Sequence, residues 1–172
     1  NGAFIEHIFN VIKKDTLRGE LIDDYPLLLV GADFNKAALD ITRVNLIKAD
    51  VWAKVIWGDI GRPDLLANDL KDEYNIELSD LLNVRTFLDH NRTWEVPKQH
   101  YDFTNNSSGA YAYQGEHLKN GDVEASLMEH LSKWKPYVEK FGLLIIELHT
   151  INTNLISKNI GKTTSTAYDA TH

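Results

Sequence analysis

Short apolar runs alternate with helical segments along this chain, and this alternation constrains the fold more than any other feature. Leu27 to Asp33 is a continuous apolar run that ends in an acid, as expected for a strand buried on both faces of a parallel sheet. Val51 to Trp57 predicts a second strand, and Phe141 to Leu148 is the clearest strand pattern. Between the runs, the apolar spacing of residues 35–47 and 124–140 is typical of amphipathic helices.

The predicted order is helix, strand, helix, strand, helix, strand, insert, helix, strand. Parallel strands joined by right-handed helical crossovers produce this order, so we expect an α/β fold with a Rossmann-like, doubly wound and mostly parallel sheet. The third strand lies within Ile76 to Phe87, where registers 76–83 and 80–87 both fit. Residues 89–122 show no clear period and are expected to form an irregular insert in a single domain spanning 1–172.

Size, charge and composition exclude several classes of protein. The 172 residues, of which 43% are hydrophobic and 25% charged, suffice for one globular domain with a sizeable core. The formal net charge of −7 repels phosphate backbones, so nucleic acid is not an expected partner. No apolar stretch approaches the roughly 18 residues of a membrane span, so no membrane association is expected. The absence of cysteine excludes disulfides and thiolate ligands, and it suits a cytoplasmic protein.

Both ends of the chain resemble cuts made inside a longer protein. Asn1-Gly2 is followed at once by helical sequence, with neither a start Met nor a signal-peptide pattern. Residues 168–172 stop without a closing element. We therefore expect a sheet that is truncated at both ends, without its first strand and its last strands.

An acid follows each of the first two predicted strands. Ligands of open parallel sheets bind at the carboxyl ends of the strands. There Asp33 can accept hydrogen bonds from both hydroxyls of a ribose, and Asp59 can accept from an exocyclic amine while Ile60 lies against a purine. The simpler alternatives are that Asp33 caps the next helix and that Asp59 belongs to an ordinary turn. Because Asn35 is available as the cap, the two acids together predict a nucleoside site.

Several segments resemble motifs of the class I S-adenosylmethionine-dependent methyltransferases. Residues 29–46, beginning LVGADFNKAAL, look like their second motif, and residues 55–60, VIWGDI, look like their third. Asn1 to Phe4 resembles the tail of their first motif, a glycine-rich loop. Three longer phrases are similar to the methyltransferase-like domains of polyketide synthase assembly lines: residues 58–64, 82–92 and 166–172. The resemblance covers nearly the whole chain.

This resemblance implies S-adenosylmethionine as the methyl donor and, in the assembly-line branch, C-methylation of an acyl group on a carrier protein. It implies contacts with the donor at six positions: Gly2, Asp33, Phe34, Asp59, Ile60 and Asn83. Gly2 would lie in the donor loop, Phe34 against the base and Asn83 near the methionine part. Asp33 would bind the ribose, and the adenine would be held by Asp59 and Ile60.

Methylation at carbon needs a base or a Lewis acid to form an enolate, followed by an aligned methyl donor. The candidate bases are His149, which follows the strongest predicted strand, and His90. A helix cap or core histidine is the alternative for His149, and a surface turn for His90. Because relatives of this kind include metal-dependent enzymes, a catalytic metal ion is a further expectation, with His149, Asp169 and His172 as candidate ligands.

Two other functions stay open at this stage. An acid after the second strand of a Rossmann-like sheet also binds NAD, so an NAD-dependent oxidoreductase domain is an alternative. The pair Asp59-Ile60 after the next strand favours the methyl donor. A non-catalytic relative that serves as a docking module is the other alternative, and its sign would be rim side chains that contact one another and leave no cleft.

Overall fold

A computed structural model describes residues 2–86, 88–89, 92–99, 101, 111–146, 154, 158–159 and 162. The chain divides into two compact units, Asn1–Leu78 and Ser79–His172. Each unit contains a two-stranded parallel sheet together with helices, which confirms the predicted α/β class. Within these described ranges, no helix combines the length and the apolar character needed to cross a membrane.

The first unit consists of two parallel strands and four helices. In chain order these are α1 (Ala3–Asp15), α2 (Leu17–Glu20), β1 (Leu29–Asp33), α3 (Lys36–Lys48), β2 (Ala53–Trp57) and α4 (Pro63–Tyr74). The parallel pairing runs from Leu29 opposite Ala53 to Asp33 opposite Trp57. The first two predicted strands, and the helices that follow them, are therefore confirmed.

The ends of the helices follow from single residues. The side chain of Asn35 accepts hydrogen bonds from the N–H groups of Ala37 and Ala38, at 3.0 and 3.3 Å, and so caps α3 as predicted. Pro63 stands in the first turn of α4, where its missing N–H costs nothing. That helix ends at Asn75, whose φ of 53° lies in the left-handed region.

Helices pack against both faces of the β1–β2 sheet. On one face, a Cβ added to Gly31 would lie 2.8 Å from Cδ1 of Ile5, so the glycine lets α1 approach β1 closely. On the other face, a Cβ on Gly58 would lie 3.2 Å from both the Ala32 Cβ and the Leu66 side chain of α4. Since Gly31 and Ala32 are consecutive in a strand, they face opposite ways. The core under α1 and α3 contains Leu39, Leu46, Val51 and Val55.

The second unit pairs strands that are distant in sequence. Its elements are β3 (Asn83–Thr86), β4 (Tyr111–Tyr113), β5 (Glu116–Leu118), α5 (Asn120–Val138) and β6 (Leu143–Ile146). A short 3₁₀ helix, Leu78–Asp80, precedes β3 across the boundary of the units. β3 and β6 run parallel, with Asn83 opposite Leu143 and Thr86 opposite Ile146. Of the two registers open for the third strand, 80–87 contains β3 and 76–83 does not.

The predicted irregular insert contains regular structure. β4 and β5 form an antiparallel hairpin, and the two residues between them, Gln114 and Gly115, have φ angles of 51° and 85°. Positive φ at both positions is characteristic of a type I′ turn. In addition, α5 begins at Asn120 rather than at 124. The strands of this hairpin have three residues each, which is too short to show a period in sequence. The irregular insert as a whole stays a prediction.

Candidate functional site

The carboxyl ends of β1 and β2 lie side by side. Asp33 is the register partner of Trp57, and the N–H of Gly58 donates to the carbonyl of Asp33 at 3.1 Å. Asp59 follows directly, so the two acids occupy neighbouring positions at one rim of the sheet. The structure thus brings together the two carboxylates that the sequence singled out.

Asp33 is half-buried, and a neighbouring main-chain group orients its carboxylate. Its Oδ1 accepts a hydrogen bond from the N–H of Asn35 at 2.8 Å. Asp33 is not the cap of α3, because Asn35 fills that position with its own side chain. In the part of the chain that the structure describes, no hydrogen bond or ion pair engages Oδ2 of Asp33. One oxygen is therefore fixed by the turn, and the other is available to a ligand.

Asp59 is arranged in the same way at the end of β2. Its Oδ1 accepts from the N–H of Gly61 at 2.7 Å, and its carbonyl accepts from the N–H of Arg62 at 2.9 Å. A Cβ on Gly61 would lie 3.2 Å from Oδ1, so glycine leaves room for the carboxylate. Over the described ranges, Oδ2 of Asp59 likewise has no hydrogen bond or ion pair. Ile60, the next residue, is half-buried.

An ion pair follows this turn at the start of α4. The guanidinium of Arg62 donates to both carboxylate oxygens of Asp64, at 2.9 and 2.7 Å. The hydrogen bond from Arg62 holds the pKa of the Asp64 carboxyl below its ordinary value. The charge of Arg62 is thus directed to Asp64, and the side chain of Asp59 interacts with main-chain N–H instead.

Two aromatic residues flank the acids at this rim. Phe34 directly follows Asp33, and its side chain is strongly exposed, at 69%. The indole N–H of Trp57 donates to the carbonyl of Phe34 at 2.9 Å. An exposed ring beside a carboxylate suits stacking on a heterocyclic base. Trp57 is not among the site residues predicted from the sequence. The sequence does show a tryptophan at the end of a predicted strand, directly before Gly58 and Asp59.

Gly2 lies away from these acids. It has a φ of 80° and precedes α1, and a Cβ on it would lie 3.2 Å from Thr42 and Leu46 in the second half of α3. Leu46 is about 15 Å along the helix from its first residue, at roughly 1.5 Å per residue. The rim acids stand at the opposite end of α3, before that first residue. The donor-loop role of Gly2 therefore stays a prediction that its position does not support.

A shallow, open hollow lies at the same end of α3 as Gly2. Its lining residues are Ala3, Glu6, Asn45, Lys48 and Ala49. It includes neither of the rim acids, and its polar groups are surface side chains of ordinary exposure. The chemistry of the site therefore rests on the carboxylates and not on this hollow.

Asn83 is the first residue of β3 and belongs to the second unit. Its side-chain amide donates to the main-chain carbonyls of Leu81 and Tyr137, at 3.1 and 3.2 Å. Ligands of parallel sheets bind at the carboxyl ends of strands, and β3 ends at Thr86. The amide of Asn83 thus joins two segments of main chain, and its contact with a methyl donor stays a prediction.

The predicted catalytic and metal-binding residues lie outside the described residues. These are His90, His149, Asp169 and His172. Among the described residues, no group of three or more His, Asp or Glu side chains converges as a metal site would require. The roles of these four residues therefore stay predictions.

A buried charged cluster in the second unit was not anticipated. Oδ1 of Asp89 forms an ion pair with the guanidinium of Arg85, 3.2 Å from Nη2, and lies 3.0 Å from Nε2 of His130, which is on α5. All three side chains are more than nine-tenths buried. The guanidinium carbon of Arg85 also lies 4.8 Å from the ring centre of Trp134. The cluster joins β3 to α5 through electrostatic and cation–π contacts.

The charges of this cluster determine the ionisation of Asp89. Burial by itself would raise the pKa of its carboxyl. The hydrogen bond from His130 and the positive charge of Arg85 act in the opposite direction and prevail, so the pKa lies below its ordinary value. Asp89 is therefore a carboxylate throughout the neutral range. No sequence signal joins these residues, since Asp89 and His130 are 41 positions apart.

The parallel strand pairs and the helices packed on them are compatible with a Rossmann-like methyltransferase fold, in which ligands bind at the carboxyl ends of the strands. A comparison with known protein families makes the assignment specific. Over residues 1–172 the chain matches the model of the AprA MT2-like domain, a methyltransferase family. The chain belongs to that family, and the resemblance to the methyltransferase domains of assembly lines is thereby confirmed. A search of curated proteins gives no match.

Proposed function

We propose that this domain transfers a methyl group from S-adenosylmethionine to a carbon of an acyl group that a carrier protein holds as a thioester, in cytoplasmic polyketide biosynthesis. The family supports methyl transfer. The observation that carries the choice of donor is the pair of carboxylates, Asp33 and Asp59, at the ends of adjacent parallel strands. The carrier-bound acyl substrate and the methylation at carbon are what the resemblance to assembly-line methyltransferases implies.

Asp33 fits the ribose of the donor. Its Oδ1 is oriented by the N–H of Asn35, and Oδ2 points to no other described group. A carboxylate is a strong acceptor for hydroxyl donors, and vicinal hydroxyls of a ribose supply two of them. We infer that Oδ2 of Asp33 accepts from the ribose and that the turn keeps the carboxylate in place before binding.

Asp59 and its neighbours fit the adenine. Its Oδ2 is available to the exocyclic amine, which is a hydrogen-bond donor. Ile60 supplies an apolar side chain at the edge of the same turn, and the exposed ring of Phe34 supplies a surface for stacking. These contacts together would distinguish adenosine from nucleosides that lack an amine.

When bound, the sulfonium of the donor supplies an electrophilic methyl group. The chain must then place an acidic carbon of the acyl group in line with that methyl and remove its proton. His149 and His90 are the proposed bases, because an imidazole is partly neutral at physiological pH and accepts a proton readily. A catalytic metal ion bound through His149, Asp169 and His172 is the proposed alternative means of acidifying the carbon.

The family match favours the methyl donor over the nicotinamide alternative. A non-catalytic docking relative is the remaining rival. In such a relative the rim side chains would contact one another, whereas the carboxylates of Asp33 and Asp59 each accept from a main-chain N–H of the following turn. This difference supports a functional rim.

The proposal is tested with a carrier protein loaded with an acyl thioester that has an acidic α-carbon. Incubation with S-adenosylmethionine should add the mass of one or more methylene units to the acyl arm in intact-protein mass spectrometry. His149→Gln and His90→Gln should lower the rate, whereas Asp72→Asn, an exposed position on α4, should not. Loss of activity in EDTA that added metal restores would support the metal. An unchanged acyl arm with the wild-type protein would refute the proposed substrate.

A further inference from the structure

Trp57 joins the ends of the two strands that carry the rim acids. It is the last residue of β2, and its indole N–H donates to the carbonyl of Phe34, 23 positions earlier, at 2.9 Å. The next residue, Gly58, donates its N–H to the carbonyl of Asp33 at 3.1 Å. The carbonyl of Asp33, the last residue of β1, and that of Phe34, the next residue, are thus both bound from the end of β2. The bond to Asp33 comes from a main-chain N–H, which any residue but proline can supply. The bond to Phe34 requires the indole of Trp57.

Trp57 and Asp33 also share one face of the sheet. They are register partners, and partners in a parallel pair project to the same side. This is the side of Val55 and Leu29, which pack in the core beneath α1 and α3. The indole of Trp57 is 37% exposed, so part of the ring borders the solvent beside the carboxylate of Asp33. A ligand that contacts Asp33 from this face therefore lies next to the indole.

We infer that Trp57 is a positioning residue for the nucleoside of the methyl donor. Its hydrogen bond fixes the peptide of Phe34, the first residue beyond β1, onto the rigid end of β2. The ring of Phe34 and the carboxylate of Asp33 are then presented together, as base and ribose contacts of one ligand. This inference rests on the proposed function and adds to it the residue that keeps the two contacts in one arrangement before binding.

The inference predicts a specific effect of Trp57→Phe, which keeps an aromatic ring and removes the indole N–H. The affinity for S-adenosylhomocysteine should fall about three- to tenfold, the scale of one hydrogen bond. The KM for S-adenosylmethionine should rise by a similar factor, with kcat changed less, because the lost contact concerns binding of the nucleoside. Trp52→Phe is the matched control, since Trp52 lies just before β2 and is 86% exposed.

Tryptophan fluorescence gives a readout that a merely structural role would not change. In the wild-type protein, S-adenosylhomocysteine should alter the emission, and Trp57→Phe should abolish most of that alteration while Trp52→Phe retains it. Both variants should keep the far-UV circular dichroism of the wild type.

The outcomes of these measurements separate the inference from the proposed function. If the wild-type protein binds S-adenosylhomocysteine and Trp57→Phe binds it equally well with the same change in emission, the inference is overturned and the proposed function stands. If the wild-type protein shows no binding, the proposed function fails and the inference fails with it. A folded Trp57→Phe protein with lower affinity and no ligand-induced emission change supports both.

Discussion

The side chains of Asp33 and Asp59 lie at neighbouring strand ends, and each carboxylate accepts one hydrogen bond from the main chain two residues further on, from Asn35 at 2.8 Å and from Gly61 at 2.7 Å. The repeated geometry has one consequence for both acids. A main-chain donor fixes Oδ1, so the carboxylate is oriented before any ligand arrives, and binding has less conformational entropy to remove.

Asp33→Asn tests the ribose contact. Asparagine keeps an oxygen for the N–H of Asn35, so the turn and the fold should persist, while the charge that attracts the ribose hydroxyls is lost. We expect the affinity for S-adenosylhomocysteine to weaken by about 1–3 kcal/mol in calorimetry, the range for a charged hydrogen-bond partner. Asp72→Asn removes one exposed charge from α4 and should leave the affinity unchanged. Equal affinities of Asp33→Asn and the wild type would place the ribose elsewhere.

Asp59→Asn tests recognition of the base. The wild-type protein should prefer S-adenosylhomocysteine to S-inosylhomocysteine, in which a carbonyl replaces the exocyclic amine and cannot donate to Oδ2 of Asp59. Asparagine can donate from its amide to that carbonyl. The ratio of the affinities for the two ligands should therefore fall by about tenfold or more in the variant, as expected when a polar site faces the wrong partner. Competitive binding of the two ligands measures the ratio. A preference that Asp59→Asn leaves intact would contradict the proposed adenine contact.

Gly31→Ala tests how closely α1 packs on β1. The new methyl would meet Cδ1 of Ile5 at 2.8 Å, and that atom is the mobile end of a side chain, so we expect a loss of about 1 kcal/mol in urea unfolding. Ile5→Val removes Cδ1 and should recover most of the loss in the double variant. Gly121→Ala is the control, because its Cβ would meet nothing within 4 Å. If the double variant is as unstable as the sum of the single variants, the contact is not the cause.

Asp89→Asn tests the buried cluster of the second unit. The substitution leaves the guanidinium of Arg85 buried without its counter-charge, and breaking a buried ion pair in this way costs about 3–5 kcal/mol. The matched control is Asp80→Asn, which removes the ion pair with Lys140 at 2.6 Å, where both side chains are more than half exposed. That control should cost about 1 kcal/mol or less. Chemical unfolding of both variants at neutral pH measures the difference, and equal losses would contradict the account of the cluster.

The same cluster predicts a dependence of stability on pH. The pKa of Asp89 is lowered in the folded protein, so its stabilising contribution is fully present above the unfolded pKa of about 3.9. It is lost as the pH falls through the lower, folded pKa. The difference in unfolding free energy between the wild type and Asp89→Asn should therefore shrink progressively below about pH 4. A difference that stays constant through this range would show that Asp89 does not titrate as the cluster requires.

The sequence predicted the features that depend on neighbours in the chain. The strands ending in Asp33 and Trp57 and the cap at Asn35 each follow from a local pattern, and the structure has them. Contacts between distant residues were not predictable in this way. The bond from Trp57 to Phe34 joins a side chain to main chain across two elements, and no periodicity reports such a contact.

The second unit shows the same limit. Arg85, Asp89 and His130 are polar residues, and a sequence pattern predicts that such residues are exposed. In the structure all three side chains are buried. The β4–β5 hairpin was missed for a different reason, because its strands have three residues each and their side chains alternate over too short a distance. Gly2 belongs to a segment that resembles a family motif. Its neighbours in the structure, Thr42 and Leu46, follow from the packing of α1 on α3, which the motif does not report.

The central claim is that the rim formed by Asp33 and Asp59 binds the adenosine of S-adenosylmethionine. The most direct measurement is isothermal titration calorimetry of the full-length protein with S-adenosylhomocysteine and with NADH, each in the wild type and in the double variant Asp33→Asn/Asp59→Asn. We predict binding of S-adenosylhomocysteine by the wild type, its loss in the double variant, and no binding of NADH. Binding of NADH without S-adenosylhomocysteine, or an unchanged affinity in the double variant, would contradict the claim.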